Sequence, residues 1–178
     1  MLLLAVLGLV LGLGAADDNL QIVGQRNYNL ARLSGPWYTI FMASDNMTRI
    51  GETGDLRLYM RHISLLRNGS LKFDFLFMVQ GECVEVVMVC EKTDSTGEFS
   101  VTYDGDTKVL LLETDYTTFV TFYMQNIKNG TVTHVLGLYG RIPGLSKPFL
   151  KRFEHVCKKY GLGSQNILNL GKKDVCLS

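Results

Sequence analysis

The sequence predicts an all-β protein, an eight-stranded antiparallel up-and-down barrel with one C-terminal helix packed outside it. Three observations carry that expectation. Apolar and β-branched runs of strand length recur from residue 36 to residue 141, turn residues separate consecutive runs, and a helical period occurs once, after the last run. With 178 residues, 47% of them hydrophobic and only three prolines, the chain suits a single domain with a sizeable core.

The first sixteen residues stand apart. Met1 to Leu13 is apolar and uncharged, and Gly14-Ala15-Ala16 follows it before Asp17-Asp18. Small residues after an apolar run suit signal peptidase, and the run is shorter than the roughly 20 residues that a membrane helix needs. Residues 1–16 are therefore expected to be a signal peptide, and 17–178 a secreted, extracellular domain. Lys and Arg number 18 against 17 Asp and Glu, with no basic run. That balance gives no warrant for nucleic acid or for membrane insertion. A monomer is expected.

Strands are expected at 36–44, 54–63, 70–80, 82–92, 97–104, 107–113, 118–127 and 132–141. Asp94-Ser95-Thr96-Gly97, Asp104-Gly105-Asp106 and two Asn-Gly pairs, at 68–69 and 129–130, supply turn chemistry between them. An open sheet of eight strands exposes two edges, and closing it on itself removes them. Beyond the strands, Phe149, Phe153, Val156, Cys157 and Tyr160 share one face of a helix over 146–161, with glycines after its last turn. That face suits the outside of the barrel. A short apolar strand near 166–170 is expected to return to an edge. Asn46, Asn68 and Asn129 begin glycosylation sequons; Asn68 and Asn129 also suit the turns as turn residues.

Strand parity separates inward from outward side chains. Leu56, Leu58 and Met60 alternate with Arg57, Tyr59 and Arg61; Leu71, Phe73, Phe75 and Phe77 form a second set; Val84, Val86, Met88 and Cys90 a third. Phe99, Val101 and Tyr103 group together, as do Phe122 with Met124 and Val135 with Tyr139. The inward set holds no paired carboxylates, no His cluster and no nucleophile with a base. No catalytic centre, metal or cofactor is expected. Parity leaves two interiors open: a solid core, or a hollow that holds an apolar ligand. It leaves the cysteines open too. Cys83 faces out and Cys90 in, so Cys83 can meet Cys176 or Cys157.

Three separated motifs then bear on the choice. Gly35-Pro36-Trp37-Tyr38, Thr114-Asp115-Tyr116 and Gly140-Arg141, in that order and followed by the helix, resemble the marks of the lipocalin family. Segments such as Gly97-Glu98-Phe99-Ser100 and Leu138-Tyr139-Gly140-Arg141 are most similar to its urinary-protein and odorant-carrier branch, and Glu82-Cys83 and Val89-Cys90-Glu91 suit the epididymal lipocalins near it. The resemblance implies a calyx whose closed end is plugged by Trp37 under the Arg141 guanidinium, with Thr114, Asp115 and Tyr116 as structural neighbours. It implies a Cys83–Cys176 disulfide. It also implies a carrier of a small hydrophobic molecule, odorant-, retinoid- or fatty-acid-like, in male reproductive fluid. The implied wall is Leu56, Leu58, Met60, Ile63, Phe73, Phe75, Met88, Val101, Tyr103, Val109, Phe122, Met124, Val135 and Tyr139, with Tyr103 and Tyr139 facing a ligand's polar group. The bulk of Phe122 and Met124 points to a small or partly self-filled pocket. The alternatives are a barrel acting through its outer surface on a cell-surface receptor, and a prostaglandin isomerase using Cys90, which lacks an inward base.

Overall fold

Two-residue turns set the rhythm of the sheet. Gln80-Gly81 and Asn129-Gly130 both hold positive φ at each position (48° and 82°, 51° and 75°), the geometry whose twist matches that of the strands it joins. The first connects β4 (Leu71–Val79) to β5 (Glu82–Lys92), and the second β8 (Phe119–Lys128) to β9 (Thr131–Gly140). The other strands are β1 (Gly35–Pro36), β2 (Tyr38–Ser44), β3 (Tyr59–Leu65), β6 (Glu98–Thr102), β7 (Asp106–Thr114) and β10 (Ile167–Asn169). The computed structural model describes residues 28–177, so the expected signal peptide at 1–16 lies outside the described residues.

The sheet is antiparallel and closes on its first strand. Consecutive strands pair from β3 round to β9; β1 then pairs with β3 through Gly35↔Ile63, while β2 pairs with β9 from Tyr38↔Gly140 to Ser44↔Val135. Because β1 and β2 are one stretch of chain interrupted at Trp37, that stretch joins both ends of the meander. The count is ten strands where eight were expected. The stretch expected at 36–44 is divided at Trp37, and the short return near 166–170 is β10, on the outer side of β2. The strand expected from 54 starts only at Tyr59, because the chain first makes a short helix, α1 (Met47–Ile50), and a loop. One seam is thin: β5 and β6 pair only at Glu91↔Ser100 and Lys92↔Phe99.

The helix, α2, runs from Lys147 to Lys159 with Pro148 in its first turn. It buries Phe153 and Cys157 on Leu112, Phe119, Leu136 and Leu138, the outer face of β7–β9. The same strands send Val109, Leu111, Phe122 and Tyr139 to the interior. Among the described residues no helix is long and apolar enough to cross a membrane. The Cys83–Cys176 disulfide ties the tail to β5, while Cys90 and Cys157 are free and buried.

Candidate functional site

One end of the barrel is sealed. Trp37 is fully buried, and its indole N–H donates to the Leu33 carbonyl at 2.7 Å. The Arg141 guanidinium lies 3.9 Å from the ring centroid, a contact that contributes roughly 0.5–2 kcal/mol depending on desolvation. Its nitrogens also donate to the carbonyls of Tyr116, Ser34, Pro36 and Arg32, at 2.8–3.2 Å. Gly35 makes the approach possible, since a Cβ there would stand 2.8 Å from Arg141 Nη1. Alongside, the Thr114 hydroxyl donates to the Phe119 carbonyl at 2.6 Å, the Asp115 carboxylate accepts from the amides of residues 117–119, and the Tyr116 hydroxyl accepts from the Asn29 amide at 2.8 Å.

Above this plug the inward residues converge. Phe73 stacks on Phe75 with centroids 5.9 Å apart and meets the edge of Phe122 at 5.3 Å. Met60, Met88, Val109, Met124, Val135 and Tyr139 complete a cavity with them, and the free volume between these groups is about 20 Å³. That is about the space of one water molecule. The hollow implied by the resemblance is thus reduced to a nearly filled core, because the rings of Phe73, Phe75 and Phe122 occupy its centre. Tyr139 supplies the hydroxyl of this otherwise apolar wall; burial pushes its pKa up, so the phenol is neutral.

Nine of the fourteen residues expected in the wall do line the cavity. Leu58 and Ile63 are buried below it with Trp37 and Leu33, and Val101 is half-buried at its side. Leu56 lies at the opposite end, with Ile50, Met42 and Tyr59. Tyr103 is half-buried between the two clusters, and its hydroxyl donates to the Asp55 carbonyl at 2.8 Å rather than facing the cavity. Sequence reasoning missed Gly137, which also lines the space. Its parity with Val135 and Tyr139 was the signal. A Cβ there would fall 2.3 Å from the Tyr139 hydroxyl oxygen, so the missing side chain makes room for the phenol.

The other end is covered by the β2–β3 loop. Ile50 and Leu56 are buried against Val135 and Leu170, with Met124 packed beside them. Arg49 braces the loop within itself, donating to both Asp55 oxygens (3.1 and 2.6 Å), and fastens it to the barrel by donating to Asn126 Oδ1 (2.6 Å) and Thr133 Oγ1 (3.2 Å). Lys128 pairs with Asp104 at 2.8 Å. Burial works against the Asp55 charge, yet its hydrogen bonds from Arg49 and the Arg49 charge hold its carboxyl down at about 2. Asn46 opens this loop half-buried, and Asn68 and Asn129 sit exposed at turns. Among the described residues no group of His, Cys, Asp and Glu is arranged to hold a metal ion.

A plugged end, an apolar centre and a covering loop on one antiparallel barrel are the architecture of a calyx. Residues 34–174 match the family model described as "Lipocalin / cytosolic fatty-acid binding protein family", and the chain belongs to the lipocalin family. It is 63% identical over 176 residues to mouse epididymal-specific lipocalin-9, covering 99% of both chains, and 54% identical to the human protein of that name, covering 99% of this chain and 92% of that one. Mouse major urinary protein 1 is 39% identical, with 99% of this chain and 97% of that one covered. Among solved structures, possum milk whey lipocalin trichosurin with bound 4-ethylphenol superposes with a TM-score of 0.74 at 29% identity, over 77% of this chain and 95% of that one.

Proposed function

We propose that the protein is an exported carrier, not an enzyme, for a small apolar ligand taken into the centre of the barrel. The observation that carries this reading is the convergence of aromatic and methionine side chains on one enclosed space whose wall offers a single hydroxyl, that of Tyr139. With about 20 Å³ free, a ligand has to displace side chains. Met60, Met88 and Met124 suit this, because unbranched thioether chains change rotamer at low cost. The ligand is accordingly small, of the size of the 4-ethylphenol held by trichosurin, with one polar group for Tyr139. For about ten heavy atoms a binding free energy of about −6 kcal/mol is reasonable, a Kd of roughly tens of micromolar. Against enzyme chemistry, burial pushes the Cys90 thiol up to about 12, which keeps it protonated at neutral pH. Release into male reproductive fluid, glycosylation at Asn46, Asn68 and Asn129, and action as a monomer belong to the same reading.

The experiment is displacement of an apolar fluorescent dye by 4-ethylphenol. Saturable displacement is expected, weakened about 3- to 10-fold in Tyr139→Phe, as the loss of one hydrogen bond predicts, and unchanged in that variant for ethylbenzene. The near absence of free volume favours a second reading, a barrel that acts through its outer face on a cell-surface receptor. Absence of any saturable dye or phenol binding would select it.

A further inference from the structure

A larger cavity lies at the rim of the barrel, between the β2–β3 loop, the ends of β3 and β4, and the C-terminal tail. It has a volume of about 470 Å³ and shares no lining residue with the central one. Alternation along the chain turns Arg57 outward, where a guanidinium ordinarily meets water. Here it is only 9% exposed. The tail closes over it, fixed by the Cys83–Cys176 disulfide and by Asp174, whose carboxylate accepts two bonds from Arg61 at 2.8 and 2.9 Å. Tyr59 completes the seat, accepting from Arg57 Nε at 3.0 Å and donating to the Lys173 carbonyl at 3.1 Å.

Among the described residues no carboxylate lies within ion-pair distance of Arg57. Its two acceptors, the Tyr59 hydroxyl and the Ile50 carbonyl, are neutral, and neither bond uses Nη2. Among the described residues the ion pairs of arginine fall to Arg49, Arg61 and Arg152. Nη2, which no bond uses, keeps contact with solvent, so an anion entering the groove meets it directly. Lys173 brings a second cation to the same groove, and Phe77, Met78 and Val175 give it an apolar floor. Glu52 stands at the rim as the one carboxylate among the lining residues, outside ion-pair distance of both cations.

We propose that this groove is a second ligand site, for a small amphiphilic anion whose carboxylate or sulfate head lies between Arg57 and Lys173 and whose apolar part lies on Phe77, Met78 and Val175. The volume falls within the range of small-molecule pockets, and a guanidinium fork suits a planar carboxylate. Glu52 repels the head and limits affinity. The site is independent of the barrel reading, because the two cavities have separate walls.

Methionine methyl groups report the two sites separately by NMR: Met78 lies at the groove, and Met60, Met88 and Met124 at the central cavity. Protein made from the full-length sequence with labelled methyls is titrated with octanoate, and in parallel with octanol and with inorganic sulfate. Octanoate is expected to shift Met78 saturably, while octanol and sulfate leave it in place. Lys173→Gln weakens the effect about 3-fold and Arg57→Gln about 10-fold or more, while Glu52→Gln strengthens it about 2- to 3-fold, in keeping with an exposed and a buried charge contact respectively. Lys173 is exposed, so its variant tests the site even if Arg57→Gln does not fold. A Met78 signal unmoved by octanoate, moved equally by octanol, or indifferent to Lys173→Gln overturns the proposal. Shifts confined to Met60, Met88 and Met124 do so too while upholding the central carrier; a shift of Met78 alone upholds the groove, and the carrier then stands or falls on 4-ethylphenol.

Discussion

The two ends of the barrel are each held by one arginine, and they hold differently. At the sealed end Arg141 meets four backbone carbonyls and an indole, all neutral, beneath which Trp37 is wholly buried. At the covered end Arg49 meets Asp55, Asn126 and Thr133, and the neighbouring Asp104–Lys128 pair is partly exposed. The Arg141 fork loses four main-chain acceptors and the indole together if it leaves its place. Arg49 and Asp55 both belong to the loop, and what ties the loop to the barrel is Arg49 on Asn126 and Thr133, side-chain bonds that water replaces when the loop lifts. The comparison teaches that one end is fastened at main-chain atoms and the other through side chains alone.

The largest effect expected from breaking this contrast is at the plug. Trp37→Ala costs about 3–5 kcal/mol, as for other buried aromatics cut to alanine, and a denaturant titration reads it as a fall in midpoint. Arg141→Lys, which keeps the charge and loses the fork, costs about 1–2 kcal/mol in the same titration. Arg49→Met costs a similar amount, about 1–2 kcal/mol: Asp55 is partly exposed and rehydrates, but the buried Asn126 Oδ1 loses its donor. Its signature is kinetic: dye uptake speeds up several-fold, and an unchanged rate would show that the loop is no barrier. The smallest effect is with pH. Asp55 is held down at about 2, below its ordinary value of 3.8. Its contribution is therefore present above about pH 4 and lost as pH falls from there towards 2. Uptake rates at pH 8 and pH 5 are expected to agree, and a rate rising already at pH 6 would assign the closure to another group.

Much of this was legible before any coordinates. Period-two alternation marks Phe73, Phe75, Met88, Phe122 and Met124 as one inward set because a strand has only two faces, and all five line the cavity. Alternation alone does not carry across the irregularity between Met60 and His62, where the register shifts and lets Met60 and Ile63 both reach the interior. Leu56 keeps the alternation by coincidence, for it precedes β3 and packs under the loop. The amount of empty space was illegible for a different reason. It is set by the rotamers of Phe73, Phe75 and Phe122, a small difference between large packed volumes, and no pattern of residue types encodes it. Arg57 was legible only as an outward side chain; its burial depends on a tail that the disulfide anchors to Cys83, 93 residues before Cys176.

The thin seam between β5 and β6 has its own consequence. Where those two strands part, β5 offers free amide and carbonyl groups, with Val87 and Val89 exposed along it. A hoop with one unfastened stave spreads there first, so deuterium should reach the amides of residues 84–88 ahead of those in β8. The same bare margin invites a foreign strand to zip on. Glu82 and Glu85 punctuate it with negative charge, so that two copies of this margin brought face to face repel each other.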